Sequence, residues 1–310
     1  MSKIIFPKSI YKGGNIAIIA PAGSVGKDQL QSTLDLLVTN GYNPILGKHL
    51  FGKYQFGYEY SGTEKERIED LNWAFNDDKI GAIWAARGGY GCQHLIKKLD
   101  LKKQIKNPKW YIGYSDNTVI HSYLLKKGIA SINGQTIKTS SFGVSDQSYN
   151  EIFKILNGTS PKYLVEESQF NKKGKADGQL VGGNLALIYA LLGTKDSFKW
   201  KDKILFIEEI GENFYALDRM LMSLEMAGVF KKIKGLIVGG MINMGKEESN
   251  KNFNESFDQF ANEIIAERIK KYQFPTLFRF PNGHIFENRP LIIGANVQLT
   301  VGKENSVFYI

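Results

Sequence analysis

The chain has 310 residues, and its 40 Lys and Arg against 31 Asp and Glu give a net charge of +9 at pH 7. The lysines are scattered and form no dense basic run with interleaved aromatic residues, which predicts a solvated surface and argues against a nucleic-acid-binding face. The single cysteine, Cys92, excludes an internal disulfide and a cysteine-based metal cluster.

The apolar segments are too short for a membrane protein. The N-terminal residues lack the apolar region of a signal peptide, and no apolar run approaches the roughly 18 residues of a membrane-spanning helix. We therefore expect a cytoplasmic protein that has neither a membrane nor a nucleic acid as its partner. The length is sufficient for two domains with separate cores.

The N-terminal half alternates short apolar runs with segments of helical spacing. A continuous apolar run is typical of a strand that is covered on both faces, and the alternation predicts an α/β fold with a doubly wound parallel sheet. Strands are expected at residues 15–20, 42–46, 80–86, from 110 and at 130–134, and helices at 27–40, from 64, from 92 to about 99 and at 118–125. Thr63 and Glu66 have the spacing of a capping box at the start of the second helix.

A polar stretch divides the chain. Residues 158–177 are rich in lysine, glycine and other polar residues, and they predict a linker between a domain at 1–157 and a mixed α and β domain at 178–310. In the second domain, strands are expected at 203–209, 235–240 and 291–300, and helices at 185–192, 215–226 and 254–270.

Ser115 lies where a buried strand that begins at Trp110 turns into a helix. A serine at such a corner is lifted out of the sheet, and the helix N-terminus presents unpaired N–H groups to a ligand. This is the setting of a nucleophile elbow. The alternative is that Ser115 or Asp116 is only a helix N-cap, which is a common role. A catalytic role therefore depends on partners elsewhere in the chain.

Of the four histidines, His284 is the best candidate for such a partner. His94 and His121 fall inside predicted helices, whereas His284 follows Pro281-Asn282-Gly283 in an irregular segment, and loop residues are more often functional. Simple surface exposure is the alternative. The histidines lack the His-x-His or His-Glu-x-x-His spacing that preorganises metal ligands, so no metal site is predicted.

Two further segments supply an acid and a backbone cradle. Glu208 and Glu209 end an apolar strand, and because a strand alternates its faces, only one of them can point to a given side. The glycines of Arg87-Gly88-Gly89-Tyr90-Gly91 let backbone N–H groups approach a ligand closely. This segment has neither P-loop nor dinucleotide-binding spacing, so it is either an oxyanion or carboxylate cradle or a turn without a ligand.

The order of serine, acid and histidine matches that of α/β-hydrolases. The corresponding chemistry is acyl transfer, in which His284 takes the proton of Ser115 and a glutamate, Glu208 or Glu209, orients the imidazole. The amide of Asp116 and that of Gly88 or Gly89 would form the oxyanion hole. Each such donor typically lowers the barrier by about 3 kcal/mol.

Taken together, these motifs resemble those of the LD-carboxypeptidases of peptidase family S66, which include muramoyltetrapeptide carboxypeptidase and the microcin C immunity peptidase. The resemblance covers essentially the whole chain. The segments that carry it are residues 16–23, 87–91, 113–116, 182–185, 206–212, 218–221 and 283–284.

The resemblance implies a catalytic triad, and the family's motifs place it on Ser115, Glu208 and His284. It also implies oxyanion donors at the amides of Asp116 and of Gly88 or Gly89. The implied fold is a flavodoxin-like N-terminal domain joined to a swivelling β/β/α C-terminal domain, usually in a homodimer. From their positions, Asn117 and Arg87 are predicted to bind the substrate carboxylate.

The implied reaction removes terminal D-alanine from murein tetrapeptides during cell-wall recycling in the cytoplasm, without a metal or organic cofactor. Two alternatives remain open. One is a peptidase for peptide-nucleotide antibiotics of the microcin C type. The other is a non-catalytic ligand-binding module that has kept the pocket.

Overall fold

A computed structural model describes residues 4–138, 143–245 and 254–310. The chain forms two compact units. The first comprises the residues up to Ser160 together with 289–292, and the second comprises 161–288 and 293–310. Each unit is described by itself.

Strands and helices alternate through most of the described chain. The strands are β1 Asn15–Ile19, β2 Asn43–Leu46, β3 Tyr54–Gln55, β4 Glu59–Tyr60, β5 Ile80–Ala85, β6 Trp110–Gly113, β7 Ser131–Asn133, β8 Lys162–Val165, β9 Gly174–Asn184, β10 Lys203–Ile210, β11 Gly235–Ile242, β12 Thr276–Leu277, β13 Leu291–Ile293, β14 Asn296–Val301 and β15 Asn305–Tyr309. The α-helices are α1 Gln31–Thr39, α2 Glu64–Asn76, α3 Lys102–Lys106, α4 Thr118–Lys126, α5 Asp146–Leu156, α6 Leu185–Leu191, α7 Phe214–Met226 and α8 Gln259–Ile269. None of the helices in these described residues combines the length and the apolar character that a bilayer crossing requires.

The first unit contains the doubly wound sheet that the alternating pattern predicts. Its strand order is β13-β7-β6-β5-β1-β2, and the β2-β1, β1-β5, β5-β6 and β6-β7 pairs are parallel. The order β2-β1-β5-β6-β7 is that of flavodoxin-like folds, in which ligands bind beyond the carboxyl ends of the strands near the switch point. The predicted fold class is therefore confirmed.

The second unit is built on a mixed sheet with the order β12-β11-β10-β9-β14-β15-β8. Strands β9 to β12 pair in parallel, whereas β14 and β15 are antiparallel to their neighbours. The central strands β10 and β11 are almost entirely buried. This burial explains why they are read in the sequence as continuous apolar runs.

The predicted domain boundaries differ from those of the structure. Residues 158–177 are not a linker, because β8 and the first part of β9 lie within the second sheet, and the units divide after Ser160. The run at 291–300 is two strands, β13 in the first sheet and β14 in the second. Residues 289–292 therefore return to the first unit. Strand β8 has only four residues, Lys-Tyr-Leu-Val, and the polar residues on either side of it give the surrounding segment the composition of a loop.

Several helix limits also differ. The predicted helix from 92 to about 99 consists of two short 3₁₀ turns, Cys92–His94 and Ile96–Lys98, and α8 begins only at Gln259, after Asp258 caps it. Helix α5 and strand β15 were not predicted. The capping box at the start of α2 is confirmed, because Thr63 Oγ1 accepts from the Glu66 amide and Glu66 Oε2 accepts from the Thr63 amide.

Candidate active site

Ser115 has a strained backbone at the end of β6. It begins a 3₁₀ turn, Ser115–Asn117, that leads directly into α4, and its φ is 62°. Non-glycine residues seldom adopt this left-handed conformation, and they tend to do so at functional sites. Tyr114 and Asn117 are the N-cap residues of the turn and of α4, and neither makes a capping hydrogen bond with its side chain. This strand–turn–helix geometry resembles that of a nucleophile elbow, and the Asp116 side chain does not cap the helix, because its Oδ2 accepts from the Cys92 amide.

The 87–91 loop lies against this turn. It follows β5, the neighbour of β6, and Gly88 is so close to Ser115 that a Cβ on Gly88 would lie 2.8 Å from Ser115 Cβ and 3.1 Å from Oγ. A side chain at residue 88 would displace the serine. Gly89 packs instead against the hydroxyl of Tyr58. The first unit thus brings together the backbone segments that were predicted to form the oxyanion hole.

The two predicted carboxylate-binding residues have different surroundings. Asn117 is fully buried, and its amide group is used inside the turn, where Oδ1 accepts from Tyr111 at 2.5 Å and Nδ2 donates to the Tyr114 carbonyl at 2.9 Å. Arg87 is half-buried, and Nη1 donates to the Ser24 carbonyl at 2.8 Å. The geometry of Asn117 therefore points to a role in shaping the turn.

Lys138, which was not among the predicted site residues, is a second cation at this edge of the sheet. Its amide donates to the carbonyl of Ala86 at 2.8 Å. Burial, together with the charge of Arg87, lowers the pKa of Lys138. No motif marks Lys138, because only the pairing of its backbone with the end of β5 brings it near Arg87.

In the second unit, His284 is paired with a buried carboxylate. Glu208 lies near the end of β10 and is 1% exposed, and its Oε2 accepts a hydrogen bond from Nδ1 of His284 at 2.7 Å. Gly283 permits this approach, since a Cβ there would lie 3.0 Å from Glu208 Cβ. Burial lowers the pKa of His284, but the charge and hydrogen bond of Glu208 outweigh it, so that the pKa is raised overall. The pair favours the imidazolium form.

Glu209 points to the other side of β10 and has a different set of partners. Its carboxylate accepts from Asn184 Nδ2 at 2.8 Å and from the amides of Ala186 and Ile210 at 2.7 and 2.9 Å. Burial and the neighbouring charge of Glu208 raise the pKa of Glu209 to about 7. The choice between the two acids that strand alternation left open is therefore decided, since His284 pairs with Glu208.

The structure places the predicted site residues in two groups. Arg87, Gly88, Gly89, Ser115, Asp116 and Asn117 lie in the first unit, and Glu208 and His284 lie in the second. Among residues 4–138, 143–245 and 254–310, no three His, Cys, Asp or Glu side chains form a group that could hold a metal ion. A strained serine elbow followed along the chain by a carboxylate–imidazole pair has the serine–acid–histidine order of hydrolases, although here the elbow and the pair lie in different units.

Comparison with known families defines this class further. The family model for the LD-carboxypeptidase N-terminal domain matches residues 16–134, and that for the LD-carboxypeptidase C-terminal domain matches residues 177–299. The chain belongs to the LD-carboxypeptidases of peptidase family S66. It is thus related to peptidases over both of its units.

Individual relatives agree with this assignment. The chain is 32% identical to a probable murein peptide carboxypeptidase of Bacillus subtilis, over 97% of this chain and 93% of the relative. It is 26% identical to the microcin C7 self-immunity protein MccF of Escherichia coli, over 92% and 89% of the two chains. The crystal structure of muramoyltetrapeptide carboxypeptidase from Oxalobacter formigenes is similar with a TM-score of 0.82 and 25% identity, over 95% of this chain and 98% of that one.

Proposed function

We propose that this protein is a serine carboxypeptidase that hydrolyses the L,D-peptide bond of murein tetrapeptides and releases the terminal D-alanine. The observation that carries the proposal is the 2.7 Å hydrogen bond between His284 and Glu208. Because this bond engages Nδ1, Nε2 is the ring nitrogen that serves as the base. The murein peptide carboxypeptidases among the relatives support the choice of substrate.

The first step is attack by Ser115. Its Oγ adds to the carbonyl carbon of the residue before D-alanine, while Nε2 of His284 accepts the hydroxyl proton. The Glu208 carboxylate stabilises the imidazolium that forms and fixes its orientation. The mechanism requires the Ser115 hydroxyl to reach Nε2 of His284 during the reaction.

The negative charge of the tetrahedral intermediate develops on the substrate oxygen. The amides of Asp116 and Gly88 are the proposed donors, and Gly89 is the alternative to Gly88. Gly88 is favoured because its backbone contacts Ser115, whereas Gly89 contacts Tyr58. Two such donors, each lowering the barrier by about 3 kcal/mol, would supply much of the rate enhancement.

Collapse of this intermediate completes the reaction. The imidazolium of His284 gives its proton to the amine of the departing D-alanine, and an acyl-enzyme remains on Ser115. Water then attacks the ester, with His284 again acting as the base, and releases the shortened peptide. These steps need neither a metal nor an organic cofactor.

Release of one C-terminal residue requires recognition of the substrate carboxylate. We assign this role to Arg87, since a guanidinium matches a carboxylate with two parallel hydrogen bonds, and the nearby charge of Lys138 would add to the attraction. We further propose that the enzyme acts in the cytoplasm as a homodimer.

The direct test is release of D-alanine from muramoyl tetrapeptides that carry either lysine or diaminopimelate before the terminal residue. We expect release by the native protein and none above background by Ser115→Ala. Ser32→Ala, on the exposed face of α1, is the matched control and should retain full activity. Persistent activity in Ser115→Ala would refute the mechanism, and absence of release by the native protein would refute the substrate.

The similarity to MccF supports one alternative, namely a peptidase for aminoacyl-nucleotide antibiotics. A hydrolysis panel that compares such conjugates with the tetrapeptides separates the two substrate classes. A protein that binds these peptides but hydrolyses none of them would instead be the non-catalytic module.

A further inference from the structure

The side chain of Asp116 ties the serine turn to the 87–91 loop. Asp116 follows Ser115 directly and is 1% exposed. Its Oδ2 accepts a hydrogen bond from the backbone amide of Cys92 at 2.8 Å. Since Cys92 immediately follows Gly91, the carboxylate holds the end of the loop against the residue that succeeds the proposed nucleophile.

Arg67 fastens the same loop from another direction. This α2 residue is buried, and its Nη1 donates to the carbonyl of Gly91 at 3.1 Å and to that of Pro21 at 2.8 Å. Its guanidinium lies over the ring of Tyr60, 4.8 Å from the centroid. The C-terminal end of the loop is therefore held by two buried charged side chains, and its N-terminal end continues from β5. Between these two ends, Gly88 contacts Ser115.

This arrangement is costly for folding. Asp116 Oδ1 is buried without a hydrogen-bond partner among the described residues, and burial of a carboxylate is unfavourable unless it is fully paired. Burial raises the pKa of Asp116 to about 6, although the amide and thiol of Cys92 and the charge of Arg67 oppose the rise. A strained residue such as Ser115 persists only where its surroundings fix it, and the Asp116 side chain is one of the groups that do so.

We propose that the carboxylate of Asp116 is a positioning group, which sets the separation between its own backbone amide and that of Gly88 in the oxyanion hole. This inference rests on the proposed serine mechanism. An oxyanion hole works only when both donors lie about 2.7–3.1 Å from the developing charge. A small movement of the 87–91 loop therefore reduces the stabilisation of the transition state more than that of the bound substrate.

The state of ionisation of Asp116 then affects the rate. A charged acceptor makes a hydrogen bond roughly twice as strong as a neutral one, so protonation loosens the tie to Cys92. The other ionisable groups that face Asp116 are Cys92, Arg67 of α2, Tyr58 and Tyr60 of the hairpin, and Tyr111 of β6. His284 must also be neutral to act as the base. Below pH 6 both His284 and Asp116 become protonated, and each protonation lowers kcat. The logarithm of kcat therefore falls with pH more steeply than the slope of 1 that His284 alone would give, over the range in which Asp116 titrates.

The experiment compares Asp116→Ala with Asp116→Asn, which keeps an acceptor oxygen but no charge. We expect Asp116→Ala to lower kcat by about 10²-fold with KM within about threefold of the native value, as for loss of one oxyanion donor. The kcat of Asp116→Asn should be roughly tenfold higher than that of Asp116→Ala. In Asp116→Asn the slope of log kcat against pH on the acidic side should fall to about 1. Cys92→Ala removes the thiol that stabilises the carboxylate, so the pKa of Asp116 should rise and its protonation should lower kcat at a higher pH.

The matched control is Asp70→Asn, which alters another buried carboxylate of the first unit, one that accepts from the His49 amide. It should leave the slope and kcat unchanged. Substrate affinity is measured in the Ser115→Ala background, where adding Asp116→Ala should not change Kd. Three results would overturn the inference: a kcat of Asp116→Ala within about threefold of native, a loss of substrate binding that accompanies the loss of kcat, or an acidic slope in Asp116→Asn equal to that of the native protein.

Hydrogen exchange makes the test independent of the proposed activity. Asp116→Ala should speed exchange of the Cys92 amide and the 87–91 loop, and Asp70→Asn should not. Unchanged exchange in Asp116→Ala would overturn the tie itself. Failure of the proposed function would be seen separately, as absence of D-alanine release by the native protein.

Discussion

Glu208 and Glu209 are adjacent, both buried and oppositely directed. Glu208 contacts His284, whereas Glu209 binds backbone amides at the start of α6 and at Ile210. The alternation of side chains along a strand gives the two carboxylates different hydrogen-bond partners, although the residues are chemically identical. One of them can therefore tune an imidazole while the other maintains the local fold.

Replacement of Glu208 by glutamine tests the first of these roles. Protonated His284 cannot act as a base, so native kcat/KM should fall as the pH drops through the raised pKa of His284. In Glu208→Gln the charge that raises this pKa is lost while burial still lowers it, so the inflection should move to lower pH. Loss of imidazolium stabilisation should also lower kcat by about 10²-fold or more.

A pH–rate series of the native protein, Glu208→Gln and Glu209→Gln gives this comparison. Glu209 lies farther from the ring and acts on it only through its charge, so Glu209→Gln should shift the inflection less. An inflection at the same pH in the native protein and in Glu208→Gln would contradict the assignment of Glu208.

At the scale of elements, α4 is joined to two strands by one buried histidine. His121 Nε2 lies 2.8 Å from the carbonyl of Gly113 at the end of β6, and Nδ1 lies 2.8 Å from the hydroxyl of Ser131 in β7. The carbonyl can only accept, so we assign the proton to Nε2, and Nδ1 accepts from Ser131. This contact fixes the helix that follows the Ser115 turn.

The pKa of His121 makes this junction sensitive to acid. Burial lowers the pKa of His121 to about 4, whereas a histidine in the unfolded chain has a pKa of about 6.5. Between these values the unfolded chain binds more protons than the folded one, so the contribution of His121 to stability is present above pH 6.5 and is lost as the pH falls towards 4.

Urea denaturation at pH 7 and pH 5 measures this effect. We expect His121 to account for a loss of about 2 kcal/mol in the free energy of unfolding on going to pH 5. In His121→Gln, which is less stable at pH 7, the fall should be smaller by about that amount, since other titrating groups such as Asp116 act equally in both proteins. Equal losses in the two proteins would show that His121 does not titrate in this way.

At the scale of the whole molecule, the chain leaves the second unit at residue 289 and returns to it at residue 293. Within the first unit, β13 adds a strand beside β7, and Arg289 forms an ion pair with Glu151 of α5. Arg289 Nε lies 3.1 and 3.0 Å from the two carboxylate oxygens, and Nη2 also contacts Oε1. This excursion makes the first unit dependent on residues near the end of the sequence.

Arg289→Met tests that dependence. Removal of one partner leaves the buried Glu151 carboxylate uncompensated, which should lower the free energy of unfolding by about 3 kcal/mol in urea denaturation. Lys103→Met breaks an exposed ion pair with Asp78 and should cost less than about 1 kcal/mol. Equal effects of the two substitutions would show that the Arg289–Glu151 ion pair stabilises the first unit no more than an exposed pair does.

Much of this protein is determined by local sequence. The apolar runs of β1, β5 and β10, the Thr63–Glu66 capping box and the glycines beside Arg87 act over a few residues, so their structural meaning is readable from neighbours alone. Their order along the chain also indicates the doubly wound sheet and the family, because alternating strands and helices have few ways to pack.

Other features were decided only by tertiary structure. Three features depend on partners about 75 to 160 residues away. They are which of two adjacent glutamates meets His284, which sheet receives residues 291–293, and whether the short segment at 162–165 forms a strand. Strand alternation gives relative faces but not the face that is buried, and a segment of four residues shows too few alternations to identify a strand. Long-range packing supplies the missing information, because it selects the face and the partner that bury the most apolar surface while keeping polar groups bonded.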